Sequence, residues 1–289
     1  MPQICFHKYS SHSYSLHKST SNKSSKFMQN NSFIKKESIK ETDVSSKVLN
    51  NSICSETVTS LQSNCQGKLI VIEGADCVGK QTQSELLYNY YTRCEYPCHL
   101  VSFPDYSTST GKKIKDILNK IDIPNLVSFP KLKEINNLYM QNRLEVWNDK
   151  LFSLYNQGYI IIADRYIPSN LIYPYITLNK IGIDKSVQEE YLASLLYNEH
   201  TINKLPIEDA IIILNMDDIN ANKLLANKRG KDKNETNDDY QYKVRQAYRL
   251  FTKKYNWHMI DCFNSNGSIL NEMSIHLNIL TYLASKHLT

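Results

Sequence analysis

No apolar run of about 18 residues occurs in this 289-residue chain, so no segment of it reads as a membrane-spanning helix. Arginine is absent from residues 1–66, and no acid stands before Glu37. The seven cysteines (Cys5, Cys54, Cys65, Cys77, Cys94, Cys98, Cys262) are odd in number and scattered, which argues against a disulfide framework and for a reducing compartment. Cys94 and Cys98 have neither a second pair nor a suitably spaced histidine, so they do not make a zinc pattern.

Residues 1–66 are rich in Ser, Asn and Lys and hold too few large aliphatics to offset the entropy of ordering, so they read as a disordered leader. They carry eight lysines against four acids, +4 of the chain's +5. The remaining residues, 67–289, are nearly neutral and long enough for one sizeable domain. Because the lysines are interleaved with Ser and Asn, the leader is expected to be solvated, with neither nucleic acid nor membrane as partner. An acid-poor, Ser-rich start resembles an organelle transit peptide, yet it lacks arginine. The cytoplasm is therefore expected, with mitochondrion or plastid as alternatives.

From residue 67 onward, short continuous apolar runs alternate with helical patterns: KLIVIEG (68–74), HLVSF (99–103), YIIIAD (159–164), AIIILN (210–215) and WHMID (257–261). Runs of this kind suit strands covered on both faces, so the fold class expected is α/β, with a five-stranded parallel sheet between two helical layers. Helices are expected near 79–93, 109–120, 131–156, 169–200 with breaks, 217–228, 239–255 and 268–286. The charged span from about 228 to 239 suits a short mobile lid.

Between the first strand and its helix lie Gly74, Ala75, Asp76, Cys77, Val78, Gly79, Lys80, Gln81 and Thr82. A glycine turn there exposes successive backbone N–H groups at a helix N-terminus, which is a cradle for phosphates, and Lys80 adds a point charge for the β- and γ-phosphates of ATP. Gln81 stands where a Mg²⁺-binding Ser or Thr is usual. At the end of the third strand comes DRY (Asp164, Arg165, Tyr166), followed by Ser169, Asn170 and Tyr173. An acid at that place suits Mg²⁺ or its waters, and an arginine suits a phosphate. Parallel strands deliver such groups to one crevice at their carboxyl ends.

These segments, with the Phe103-Pro104 step and the YMQNRLEVW helix (139–147), closely resemble the thymidylate kinase family of phosphate-loop nucleoside monophosphate kinases, in the same order and over residues 67 to about 286. The resemblance implies a P-loop NTPase-type fold and transfer of the γ-phosphoryl group of ATP to dTMP, giving dTDP. It implies that Asp76 meets the deoxyribose 3′-hydroxyl and orients Arg165, which grips the acceptor phosphate beside Ser169. Phe103 and Pro104 would wall the thymine pocket, Tyr139 would stack on the base, Arg143 and Asn170 would read its edge, and Tyr173 would exclude a 2′-hydroxyl. Taken alone, the i, i+4 spacing of Tyr139 and Arg143 describes any half-buried helix.

Cys77 and Tyr106 occupy positions where many eukaryotic members carry arginines. The missing charge is expected from the lid, from Arg229 with help from Lys228 or Lys231, as in the bacterial branch. With Gln81 in place of a hydroxyl, Mg²⁺ would be held by ATP oxygens and water, backed by Asp164 and Glu73. A homodimer is expected by resemblance. A deoxynucleoside kinase and a non-catalytic nucleotide binder are the alternatives.

Overall fold

The computed structural model describes residues 66–120, 128–227 and 237–289. The leader up to residue 65 and most of the lid, with Lys228, Arg229 and Lys231, lie outside the described residues. Among the described residues no helix is long and apolar enough to cross a membrane.

The first strand, β1 (Lys68–Gly74), is buried from Leu69 onward. Because side chains alternate across a strand, Leu69 and Val71 enter one core and Ile70 and Ile72 the other. The chain continues through α1 (Lys80–Arg93), β2 (Cys98–Ser102), α2 (Ser109–Lys120) and α3 (Phe129–Val146). A π-helical turn, Trp147–Leu151, joins α3 to α4 (Phe152–Asn156), so the helix expected over 131–156 is one continuous helical segment with an underwound middle. After β3 (Ile160–Asp164) come α5 (Ser169–Lys180), α6 (Lys185–Tyr197) and a second π turn, Asn198–Ile202. Gly182, at φ 72°, and Asp184, whose side chain caps α6 by accepting from Ser186 N, account for the break between α5 and α6. The last elements are β4 (Ala210–Asn215), α7 (Asp218–Asn227), α8 (Asp238–Tyr255), β5 (His258–Asp261) and α9 (Glu272–Ser285). The last helix begins four residues later than its apolar pattern suggests, because Asn271 accepts from Ser274 N at 2.8 Å and caps it there.

All five strands are parallel, in the order β2-β3-β1-β4-β5, with β1 central. One face packs on α1, α5, α8 and α9 through Leu87, Tyr91, Ile172, Phe251, Ile279 and Leu283. The other packs on the α3–α4 rod through Trp147, Leu151 and Tyr155. In register, Ile72 lies beside Asp164, Ser102 beside Asp164 and Gly74 beside Leu214, so the strands release their following segments at one edge.

One buried polar group is poorly compensated. His276 of α9 is 2% exposed against Tyr90 of α1, and its Nδ1 has no hydrogen-bond partner among the described residues. Burial pushes its pKa down from the ordinary 6.5 to about 4. The native chain therefore binds fewer protons than the unfolded chain between those values, and stability falls as pH drops from about 6.5 toward about 4. The thermal midpoint is expected to decline from pH 7 to pH 4.5, and His276→Leu to flatten the decline. Identical pH slopes for the two proteins would remove His276 as a cause.

Candidate active site

At Gly74 the backbone has φ 144°, and a Cβ there would meet Leu214 O at 2.6 Å, so the turn out of β1 needs glycine. Cys77 (φ 62°) and Gly79 (φ 90°) also take left-handed conformations, and α1 then starts at Lys80. The loop and the first turn of α1 present the N–H array and positive dipole end that bind phosphate oxygens. Lys80 Nζ donates to Ala75 O at 2.6 Å across the loop. Burial, followed by the nearby Arg165 charge, pulls its pKa down to about 8. Gln81 is exposed and donates to Glu85, away from the loop, at 2.9 Å. Thr82, the next position along α1, is partly buried.

Arg165 follows β3 in a left-handed conformation, φ 67°, held by its own N–H to Ile72 O at 3.0 Å. Its guanidinium ties the phosphate loop to the start of α5: Nη2 pairs with Asp76 Oδ1 at 2.5 Å, and Nη1 donates to Gly74 O at 3.2 Å and to Ser169 Oγ at 3.4 Å. Tyr173 lies under it, 5.7 Å from ring centre to guanidinium carbon. Asp76 Oδ2 accepts from Gln241 Nε2 of α8 at 3.0 Å, so a carboxylate set in an anion cradle is turned toward donors on both sides. Asp164 stands beside Lys80 and Arg165. Its pKa is raised by burial, against the pull of those two cations.

Glu73 differs from its expected metal role. It has no exposed surface, and its carboxylate accepts four hydrogen bonds: Tyr166 N at 2.9 Å, Ser169 N at 3.1 Å, Ser169 Oγ at 2.9 Å and Tyr248 OH at 2.8 Å. Such a carboxylate has no capacity left for the waters of a metal ion. Glu73 instead fastens β1 to the turn into α5 and to α8. Among the described residues no group of three or more His, Cys, Asp or Glu could hold a metal ion.

Next to Arg165 opens a cavity of about 240 Å³ lined by Phe103, Pro104, Tyr139, Arg143, Asn170 and Tyr173, among others. The site residues expected for a nucleotide acceptor thus meet in one place. Phe103 is buried against Tyr166, and the Phe103–Pro104 peptide is cis. The α3 helix explains why Asn142, Arg143 and Glu145 occur together. Asn142, fully buried, accepts from Asp105 N at 2.9 Å and donates to Asp105 O, Thr108 Oγ1 and Thr110 Oγ1 at 2.8 to 3.2 Å. One turn on, Glu145 caps α2, accepting from Ser109 N and Oγ and from Thr110 N and Oγ1. The Thr110 and Ser109 hydrogen bonds hold its carboxyl down at about 2. Arg143, rotated about 100° from Asn142, turns into the cavity and is paired behind it with Glu199, a residue with no signal of its own in the sequence. Gln241 and Tyr248 were equally hidden, since each sits in an ordinary amphipathic helix.

A phosphate-loop turn and a neighbouring cavity that share one arginine mark the class of phosphate-loop kinases. Comparison with known proteins narrows the class. The thymidylate kinase family profile matches residues 72–273, and the chain belongs to that family. It is 33% identical over 142 residues to the thymidylate kinase of African swine fever virus, covering 49% of this chain and 57% of the viral one. It is 26% identical over 194 residues to that of Caldanaerobacter subterraneus, covering 66% and 84%. The solved thymidylate kinase of Candida albicans superimposes with a TM-score of 0.56 at 24% identity over 77% of this chain and 93% of that one, which shows the shared fold.

Asn142→Ala is expected to lower the unfolding free energy by about 2–4 kcal/mol, since it strands several buried partners at once. It should also loosen the Phe103-Pro104 wall and raise the acceptor KM. A loss under about 0.5 kcal/mol in denaturant titration would show that the loop holds without it.

Proposed function

We propose that the chain transfers the γ-phosphoryl group of ATP to dTMP, yielding ADP and dTDP, a step of dTTP synthesis. The observation that carries this reading is Arg165, whose guanidinium touches Gly74 and Asp76 of the phosphate loop on one side and lines the acceptor cavity on the other. Loop amides and Lys80 hold the donor phosphates, Arg165 and Ser169 take the acceptor phosphate, and Asp76 receives the 3′-hydroxyl. Phe103, Pro104 and Tyr139 enclose the base, Arg143 and Asn170 meet its edge, and Tyr173 closes on the sugar where a 2′-hydroxyl would fall. An acceptor phosphate oxygen attacks Pγ in line as the bond from Pγ to the bridging oxygen breaks, and ADP leaves with that electron pair. Catalysis is positioning and charge neutralisation, with no covalent enzyme intermediate.

Mg²⁺ bound with ATP would shield the phosphate charges, and Asp164, at the strand end beside Lys80, is the acid placed to accept hydrogen bonds from its waters. Glu73, committed to its four donors, has no part in that. Arg229 is our candidate for the lid cation that replaces the arginine absent at Cys77. The odd number and scattered placing of the cysteines agree with a reducing compartment, which we take to be the cytoplasm. A homodimer through helices beside the sheet completes the reading.

Coupled ADP release with Mg·ATP is expected to be well above background with dTMP and weak with dCMP, dGMP or thymidine. Equal turnover with thymidine would point to a nucleoside kinase. Lys80→Ala should remove most turnover, and kcat/KM for ATP should decline above about pH 8, where Lys80 of the free enzyme loses its proton. Arg143→Ala should mainly raise the dTMP KM.

A further inference from the structure

Glu199 sits in the π turn that follows α6, with no exposed surface, behind the acceptor cavity. It does not line the cavity, but the two residues it holds do. Arg143 donates to both of its oxygens, Nη2 to Oε1 in a short contact and Nε to Oε2 at 3.3 Å. Asn170 Nδ2 donates to Oε1 at 3.2 Å. An inserted residue in a helix redirects the side chains that follow, and such turns gather at functional sites. Here the π turn brings a carboxylate under two groups from helices distant in sequence.

A carboxylate paired with a guanidinium only accepts hydrogen bonds. It therefore selects one of the two orientations of the Asn170 amide: the Nδ2 end faces Glu199, and Oδ1 is the end left for the cavity. Arg143, with Nε and Nη2 committed, keeps Nη1 as a donor for the cavity. The wall thus presents a donor beside an acceptor. A 4-oxo pyrimidine carries the complement, an O4 acceptor beside an N3–H donor, whereas a 4-amino pyrimidine carries the reverse, an amino donor beside an N3 acceptor.

We infer that Glu199 is a positioning residue that sets the base preference of the pocket: by orienting the Asn170 amide and the Arg143 guanidinium from behind, it makes the wall complementary to 4-oxo and not to 4-amino pyrimidine nucleotides. The inference rests on the acceptor-site reading above. Glu199→Gln keeps the side-chain length but adds an N–H donor, so the Asn170 amide is free to turn over. Glu199→Asp shortens the side chain but remains acceptor-only. A residue that merely fills space would tolerate Gln better than Asp. A residue that orients hydrogen bonds gives the opposite order.

The test measures kcat and KM for dTMP and dCMP with the full-length chain and both variants, with thermal midpoints recorded alongside. For Glu199→Gln, the dTMP-to-dCMP ratio of kcat/KM is expected to fall about tenfold or more, the order that one misdirected hydrogen bond costs in base discrimination. The change should lie mostly in KM. For Glu199→Asp, the ratio should stay within about threefold of the unmodified chain even where dTMP affinity drops. An unchanged ratio in the Gln variant, or a larger loss in the Asp variant, overturns the inference. If the Gln variant does not fold, binding of N3-methyl-dTMP to the unmodified chain decides. Affinity at least tenfold below that for dTMP supports an acceptor facing N3, and equal affinity overturns it. Absence of dTMP turnover in the unmodified chain is a separate result that refutes the functional reading itself.

Discussion

The guanidinium of Arg165 is the contact through which the phosphate loop, the start of α5 and helix α8 are referred to one another. Asp76 and Gly74 hold it from the loop, Ser169 from α5, and Tyr248 OH from α8 at 3.4 Å. Beneath it, Glu73 binds the N–H groups of Tyr166 and Ser169 and the hydroxyls of Ser169 and Tyr248. A non-glycine residue in the left-handed region costs on the order of 1 kcal/mol, and Arg165 is kept there by these bonds. Without this knot the three segments would have no common frame.

The same economy of fixed donors explains the electrostatics. Lys80, Arg165, Asp76, Asp164 and Glu73 lie in a poorly solvated crevice, where unpaired charge is expensive and paired charge is strong. Burial, and after it the Arg165 charge, loosens the proton of Lys80 toward pH 8, while Asp76 is held by Arg165 and Gln241. Groups already desolvated and oriented need no reorganisation when phosphates arrive, which is where electrostatic catalysis draws its advantage.

Behind the acceptor cavity the pairing of Arg143 with Glu199 follows the same logic at a greater distance from the reacting atoms. A buried ion pair contributes little net stability compared with an apolar pair of equal volume, but it fixes geometry. The α3 helix makes that geometry possible, because Asn142 and Glu145, three residues apart, share a face toward the Phe103-Pro104 loop and α2, while Arg143 points elsewhere. The Phe103-Pro104 wall and Arg143 are thereby set by one rigid element.

Much of this was legible in the chain itself. The five apolar runs became the five strands, because a strand covered on both faces needs continuous hydrophobicity, and the glycine turn announced its phosphates, because only glycine passes Leu214 so closely. Asp76, Arg165, Phe103, Tyr139, Arg143 and Asn170 were assigned from motifs and do meet at one cavity. Three things were not legible. The π turns interrupt helices whose apolar pattern continues unbroken. Glu73 has the sequence position of a metal-side acid, but its carboxylate is taken up by four donors from distant segments. Glu199, Gln241 and Tyr248 lie 29 to 175 residues from the groups they hold, and nothing in local composition encodes such pairings. The sequence alone thus determined the strands, the phosphate loop and the residue types at the pocket, since periodicity and backbone sterics act over a few residues. Only the tertiary structure decided which oxygen each donor faces, because a hydrogen bond depends on positions that distant segments reach by packing.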